Sequence, residues 1–161
     1  MGKNVLFGQL FFLAMLLPVH AEESPKQQVD AIIQSLKAGD VARIEVFGVP
    51  PDLLFRSDFA PERLETGWDY KLTIRNLDST MKPRADALAV ALRSAAIQPS
   101  RGHSLDVRRG VVLYPKTPEG KRLASLYFDR SGRIGGINST VVSFGPEFLF
   151  QLKKALHAQI E

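Results

Sequence analysis

An apolar stripe of helical spacing lies between residues 29 and 36. Four apolar side chains recur at intervals that place them on one face of a helix: Val29, Ile32, Ile33 and Leu36. Ser24 can cap this helix at its start, Pro25 suits the first turn, and Gly39 can end it. The pattern therefore predicts an amphipathic helix between Ser24 and Gly39.

Two later segments, VARIEVFGV and DYKLTIRNL, alternate between apolar and polar side chains, which is the period of a β-strand. The first face predicted for this pair holds Ala42, Ile44 and Val46 from one strand and Tyr70, Leu72 and Ile74 from the other. The opposite face holds Arg43, Glu45 and Phe47, followed by Lys71, Thr73 and Arg75. Between the two strands, a short helix is predicted from about Pro61 to Thr66, with a stop at Gly67.

The second half of the chain predicts a long helix, three consecutive strands and a terminal helix. The long helix extends from about Lys82 to Ile97, and residues 98 to 107 form a polar loop. The three strands are RGVVLYP, RLASLYFD and GINSTVVSF, and the last helix opens at 145–147. The buried face of the long helix is predicted to contain Ala85, Leu88, Ala89, Leu92 and Ala96.

The order of the main elements is therefore α-β-β-α-β-β-β-α. Because most strands follow one another without a crossover helix, we expect an α+β fold with a largely antiparallel sheet. The sheet should have about five strands and be accompanied by three main helices. One face of the sheet should carry the helices, while the other should be more polar.

The stretch LYFDRSGRIGGINST, residues 126 to 140, raises the question of a phosphate-binding loop. Such a loop needs a helix directly after its glycines, but the residues after Gly136 are β-branched and favour a strand. Asp129 to Gly132 has the composition of a tight turn, and the next two glycines suit a bulge or a close backbone approach. We interpret the stretch as a β-hairpin.

The first 21 residues have the features of a secretory signal peptide. Lys3 precedes an apolar run that is short for a membrane span, and Val19-His20-Ala21 resembles a cleavage site. The mature chain would be a single globular domain, residues 22 to 161, released without a membrane anchor. The chain has no cysteine, so neither a lipoprotein anchor nor a disulfide is possible, and a bacterial periplasm is the expected compartment.

Charge and motifs exclude several function classes. Removing Lys3 with the leader lowers the formal net charge from +4 to +3, and no basic run interleaves with aromatics, which disfavours nucleic-acid binding. No nucleophile motif or metal-ligand spacing is present, so we expect no cofactor and no metal. The two histidines after the leader, His103 and His157, are far apart in the sequence. A glycosidase that uses paired carboxylates stays open as an alternative.

Two features point instead to a protein partner. The first is the polar strand face with Arg43, Glu45, Lys71 and Arg75, which is either a solvated, charge-paired surface or a docking surface. The second is the connection GVPPDLLFRSDF, in which prolines hold an apolar group together: Leu53, Leu54, Phe55 and Phe59. These side chains either fold back over the sheet as core or stay exposed as the centre of an interface. A basic group of Arg101, Arg108 and Arg109 is either a solvated part of a loop or a group that steers an acidic partner.

The segments IEVFGVPP and YKLTIR, and GVVLYP followed by LYFDRSGR, resemble those of small exported proteobacterial proteins of unassigned function. A chain of this size with a leader, no cysteine and no enzyme signature is similar to periplasmic immunity proteins. Those proteins bind and neutralise toxic effectors delivered by type VI secretion systems. The resemblance implies a non-enzymatic protein-binding protein. A small hydrolase acting on cell-envelope material, or an envelope structural or assembly factor, are the alternatives.

Overall fold

The computed structural model describes residues 23–50, 52–53, 57–75, 81–101, 105–117 and 121–156. The predicted signal peptide lies outside these residues. Within the described part of the chain there are four helices: α1 (Pro25–Ala38), α2 (Pro61–Thr66), α3 (Met81–Ser94) and α4 (Phe148–Leu156). The strands are β1 (Val41–Gly48), β2 (Tyr70–Arg75), β3 (Gln98–Pro99), β4 (Val107–Pro115), β5 (Ala124–Asp129), β6 (Ile134–Ile137) and β7 (Thr140–Ser143).

All seven strands belong to one antiparallel sheet with the order β2-β1-β4-β5-β6-β7-β3. The α+β class and the antiparallel sheet predicted from the sequence are therefore confirmed. The sheet has two strands more than expected. One is the short β3, which lies in the segment predicted to be a loop, and the other arises because the last predicted strand is divided in two.

The first helix forms as its sequence predicts. The Ser24 hydroxyl accepts a hydrogen bond from the backbone N–H of Gln27, and the Gln27 side chain accepts one from the backbone of Ser24, which completes a capping box. The helix ends at Gly39, whose φ of 73° is left-handed and favours glycine. Its apolar stripe is buried: Val29, Ile32, Ile33 and Leu36.

The larger hydrophobic core lies between the sheet and three helices, α1, α3 and α4, and we call this side of the sheet the three-helix face. Phe128 from β5 contacts the rings of Phe144 and Phe148 at centroid distances of 5.1 and 5.9 Å. All three of these side chains are buried in the core. The predicted face with Tyr70, Leu72 and Ile74 packs here. Three helices and one sheet face thus form a single apolar layer.

The opposite side of the sheet, which we call the α2 face, is less polar than predicted. Phe47 was expected on this face and does lie there, but it is buried in a second apolar cluster. Leu64 of α2 is fully buried in the same cluster and covers the middle of the sheet. The other members of the cluster are Val49, Phe59, Val107, Val112 and Tyr127.

Three local predictions are wrong in detail. A register irregularity after Val41 turns that residue, and not Ala42, toward the core with Ile44. Helix α3 ends at Ser94, which leaves Ala96 exposed outside it. GINSTVVSF is not one strand, because Asn138 adopts a left-handed φ of 53° in a two-residue turn between β6 and β7.

The hairpin interpretation of the glycine-rich stretch is confirmed. β5 and β6 pair across a turn in which the Asp129 carboxylate accepts hydrogen bonds from the backbone N–H groups of Arg133 and Ile134. Gly132 has a φ of 70° in this turn. Gly135 lies so close to its neighbours that a Cβ atom would be 2.0 Å from the Tyr127 carbonyl oxygen, which only glycine tolerates.

Candidate functional site

Three of the residues predicted from the strand pattern meet on the α2 face. The Arg43 Nε atom lies 3.4 Å from one carboxylate oxygen of Glu45, and the Lys71 Nζ atom lies 3.1 Å from the other. Lys71 and Glu45 are diagonal neighbours, because Glu45 stands opposite Thr73 in the ladder between β1 and β2. The carboxylate is thus held between two cations on adjacent strands.

Two aromatic side chains complete this group, and sequence reasoning missed both. The Arg43 guanidinium lies 3.9 Å from the ring centroid of Tyr114 on β4, and the Lys71 Nζ atom lies 5.8 Å from that of Trp68. The Tyr114 hydroxyl donates a 3.2 Å hydrogen bond to Glu45. Cation–π contacts therefore place both basic groups against aromatic faces. We call these residues, Arg43, Glu45, Trp68, Lys71 and Tyr114, the charged patch.

Exposure differs sharply within the charged patch. The Glu45 side chain is 11% exposed, whereas that of Arg43 is 41% exposed. Burial raises the pKa of Tyr114, and the Glu45 carboxylate raises it further, whereas the charges of Arg122 and Arg43 act in the opposite direction. The neutral phenol therefore persists as a hydrogen-bond donor to Glu45. The anion lies at the base of the patch, and the cations and aromatic rings form its outer surface.

Arg75, the fourth residue predicted on the strand face, does not join the charged patch. It stands directly opposite Arg43 in the ladder, it is exposed, and it has no carboxylate partner within the described residues. Like charges directly opposite each other on a sheet repel. This corner of the sheet therefore carries an excess of positive charge at its edge.

The apolar connection between β1 and α2 is divided between core and surface. Phe59 is 4% exposed and belongs to the second apolar cluster, so the prediction that it contributes to an exposed interface is wrong. Its backbone N–H donates to Asp106, which ties the segment to the start of β4. Leu53 is 42% exposed and stays available to a partner. Leu54 and Phe55 lie outside the described residues, so their predicted role stays a prediction.

The predicted basic steering group is mostly buried. Arg108 donates hydrogen bonds to the Asp106 carboxylate and to the Leu53 carbonyl oxygen, at 2.6 Å in each case. Arg109 donates to the Arg130 carbonyl oxygen on the three-helix side. Both arginines are 5% exposed, so the expectation that they steer a partner is wrong, and Arg101 alone of the three is exposed.

Beside the charged patch, the α2 face contains a cavity of about 630 Å³. Its floor is formed by strands β5, β6 and β7, one wall is α2, and the opposite wall is the 138–140 turn. Both carboxylates of α2, those of Glu62 and Glu65, line it, together with Arg122, Ser125 and Tyr127. We call this the α2 cavity. Its volume lies in the range of small-molecule sites and of pockets that accept one large side chain.

The polar groups of the α2 cavity are bonded to one another. Glu65 accepts hydrogen bonds from the guanidinium of Arg122 and from the Tyr127 hydroxyl. Arg122 also lies 3.2 Å from the Tyr127 hydroxyl oxygen. Burial, followed by the hydrogen bond to Glu65, raises the pKa of Tyr127 to about 12. At neutral pH the phenol therefore keeps its proton, donates a hydrogen bond to Glu65 and is a poor general base.

The sequence carried a usable signal for only part of this site. Trp68 is the single tryptophan of the chain and directly precedes a strand, which marks it as a candidate interface residue. Tyr114 lies two residues after Val112 and therefore on the same strand face. Glu65 is in α2, Arg122 lies just before β5 and Tyr127 is in β5, and no local pattern links Glu65 to the other two.

Several kinds of site are absent from the described residues. They contain no group of three or more acidic, histidine or cysteine side chains placed to hold a metal ion. None of the described helices combines the length and the apolar character needed to cross a membrane. His103 and His157, the two histidines of the predicted mature chain, lie outside the described residues.

Comparisons with protein-family models, with curated proteins and with solved structures found no match to this chain.

Proposed function

We propose that the chain is a periplasmic protein-binding protein without catalytic activity. In its sharpest form, it is an immunity protein or inhibitor that neutralises a secreted toxic effector. The observation that carries the proposal is the charged patch, in which Trp68, Tyr114 and Arg43 surround a buried carboxylate on the α2 face. Tryptophan, tyrosine and arginine are the residue types that dominate the binding energy of protein interfaces.

The composition of the neighbouring surface supports the same function. Leu53 and Trp68 are large apolar side chains that stay 42% and 41% exposed. Such groups, rimmed by charged side chains, are typical of the centre and rim of a protein interface. The ion pairs of Glu45 also hold Arg43 and Lys71 in fixed positions, which lowers the entropy that binding would cost.

The proposal is tested by partner capture with matched variants. The mature protein is immobilised and exposed to periplasmic extract or to a candidate effector, alongside Trp68→Ala and Phe150→Ala. Phe150 is an exposed aromatic residue on α4 and serves as the control. Trp68→Ala should weaken partner binding by about 30-fold or more, which corresponds to about 2 kcal/mol, whereas Phe150→Ala should leave it unchanged. Equal losses in both variants, or no loss in either, would contradict the proposed site.

Export through a cleaved leader is part of the proposal and has its own test. The apolar run before Val19-His20-Ala21 supports cleavage after Ala21, so the exported protein should begin at Glu22. N-terminal sequencing of the protein from the periplasmic fraction decides this point. An intact Met1 in the membrane fraction would show that the leader is retained as an anchor.

A small hydrolase acting on envelope material is the second candidate. It is favoured by the α2 cavity, where Glu62 and Glu65 line the same space. Paired carboxylates are the machinery of glycoside hydrolysis. Against it, both carboxylate oxygens of Glu65 are already bonded to Arg122 and Tyr127, so Glu65 is not free to contact a substrate. Release of soluble fragments from purified peptidoglycan by the wild-type protein, and its loss in Glu62→Gln, would support this candidate.

A further inference from the structure

The two edges of the sheet are built very differently. β3 forms one edge with only two residues, of which Pro99 lacks a backbone N–H group. β2 forms the other edge with six residues and contains no proline, and its pairing with β1 has no bulge. Short strands, prolines, bulges and charged side chains are devices that protect a sheet edge from further pairing. The β3 edge is short and contains a proline, whereas the β2 edge is protected only by the charges of Lys71 and Arg75.

A regular edge strand of this length can accept another strand. Six residues extend about 20 Å and present a row of outward N–H and C=O groups. Within the described residues, no strand pairs with β2 on the side away from β1. An extended peptide that adds to such an edge gains main-chain hydrogen bonds, and the side chains at alternate positions determine which peptide is accepted.

The charges along β2 select the kind of strand that fits. Lys71 and Arg75 point to the α2 face, with Arg43 beside them on β1, so strands β1 and β2 together contain three cations and one carboxylate, that of Glu45. A neighbouring strand with acidic side chains opposite Lys71 and Arg75 would neutralise the excess. On the three-helix face, Leu72 is only half-buried, so an apolar side chain beside it would be covered.

A second copy of this chain is disfavoured at the same edge. In a symmetric antiparallel pair centred on Thr73, Lys71 of each copy would stand opposite Arg75 of the other. In a parallel, in-register pair, each cation would stand beside its own equivalent. Like charges opposite each other destabilise both arrangements, so these two registers of self-association are disfavoured.

We propose that β2 accepts an extended segment of a partner protein as an added strand, and that this segment alternates acidic and apolar side chains. This inference rests on the proposed protein-binding function and identifies the chemistry of the partner at the rim of the charged patch. The partner would bring carboxylates to Lys71 and Arg75 while its main chain pairs with β2. Trp68, directly before β2 in the chain, would contact the partner beyond the end of the added strand.

The test uses a synthetic peptide and the mature protein. The probe is Val-Glu-Val-Thr-Val-Glu-Val with blocked termini, which places glutamates opposite Lys71 and Arg75 and threonine opposite Thr73. The control peptide has lysine at both glutamate positions. In a titration followed by amide NMR, the acidic peptide should shift resonances of residues 70–75 and slow hydrogen exchange of the outward amides of β2. It should bind about tenfold or more tightly than the lysine peptide.

Variants of the protein separate charge selection from nonspecific attraction. Arg75→Glu should lower the affinity for the acidic peptide by about tenfold and raise that for the lysine peptide. Arg133→Glu, the same charge change at an exposed residue of the β5–β6 turn, should leave both affinities unchanged. Because Arg75 is exposed, the variant should fold, and Arg75→Gln gives a second, milder change if it does not.

Several outcomes would overturn the inference. The first three are no binding at millimolar concentrations of the acidic peptide, equal affinity for the lysine peptide, and NMR shifts centred away from β2. The fourth is slower hydrogen exchange of β2 at higher protein concentration without peptide, which would identify a second copy as the occupant. If the peptide fails while Trp68→Ala still abolishes partner capture, strand addition is wrong and the protein-binding function stands. If Trp68→Ala also retains capture, the proposed binding site itself is wrong.

Discussion

The two faces of the sheet are formed by the same strands but differ in how they are packed and in how polar they are. On the three-helix face, β5 packs Phe128 against Phe144 and Phe148 in the larger hydrophobic core. On the α2 face, the same sheet is covered by one helix of six residues, and ion pairs and a cavity occupy the remainder. The comparison indicates that the three-helix face provides most of the stability, and our proposal assigns binding to the α2 face. Four variants test this difference between the two faces.

The largest loss of stability is expected from a substitution on the three-helix face. Phe128 is fully buried and contacts two other phenylalanine rings, so Phe128→Ala would leave a cavity where the core is densest. We expect the free energy of unfolding to fall by about 3–5 kcal/mol. Urea denaturation followed by circular dichroism measures this change. A loss below that for a variant of the α2 face would reverse the assignment of the two faces.

A smaller loss is expected when the second apolar cluster is truncated. Leu64 is fully buried under α2, but α2 is short and borders a cavity into which the structure can relax. Leu64→Ala should therefore cost about 2–3 kcal/mol, at the low end for a buried leucine. Val90→Ala, at an exposed position of α3, is the control and should change stability by less than about 0.5 kcal/mol.

Ionisation of the Tyr127 hydroxyl on the α2 face should lower the free energy of unfolding at alkaline pH. Burial and the bond to Glu65 raise the pKa of Tyr127 from 10.0 to about 12, so the folded state keeps a proton that the unfolded chain releases. The corresponding stabilisation is complete below pH 10 and is lost as the pH rises to 12, by about 2 kcal/mol. Tyr127→Phe should lose about 1 kcal/mol at neutral pH and flatten this decline.

Chemical denaturation at a series of pH values measures both effects. Tyr114→Phe is the matched control, because Tyr114 also donates a hydrogen bond to a glutamate but is less buried. It should leave most of the decline between pH 10 and 12 in place. An equally steep decline in Tyr127→Phe would show that Tyr127 does not titrate as described.

The smallest effect on stability should come from the charged patch. Glu45→Gln removes the charge that holds Arg43 and Lys71, but both cations are partly exposed, so the loss should be about 1 kcal/mol or less. The difference from the wild-type protein should shrink in high salt, which screens the ion pairs. Partner binding should fall more than stability does. If stability falls as far as in Leu64→Ala, the patch belongs to the structural core.

Local patterns predicted those elements whose structure depends on neighbours in the sequence. Helix α1 has both caps and a buried stripe within 16 residues, from Ser24 to Gly39, and all of them agree with the structure. The β5–β6 turn is likewise encoded by Asp129 and Gly132. The division between β6 and β7 was missed because β-branched residues surround Asn138, and only its left-handed backbone reveals the turn.

The candidate site was predicted only where its residues share a strand pair. Arg43, Glu45 and Lys71 were placed on one face by their alternation, and the structure brings them together. For Phe59 the choice between core and interface stayed open because its connection has no periodicity, and packing near α2 buries it. The same absence of pattern left Arg108 and Arg109 predicted as exposed, although they bond to backbone carbonyls.

The fold class follows from the amino-acid pattern alone, because apolar spacing, caps and turns are short-range signals that each segment carries alone. The same pattern shows which faces of β1 and β2 are charged. Long-range packing, in contrast, is needed to bury Phe47 and Leu64, to place β2 at the edge of the sheet, and to bring Glu65 to Arg122 and Tyr127. Those contacts join residues more than 50 positions apart in the case of Glu65, so they depend on how strands are ordered and not on any local pattern.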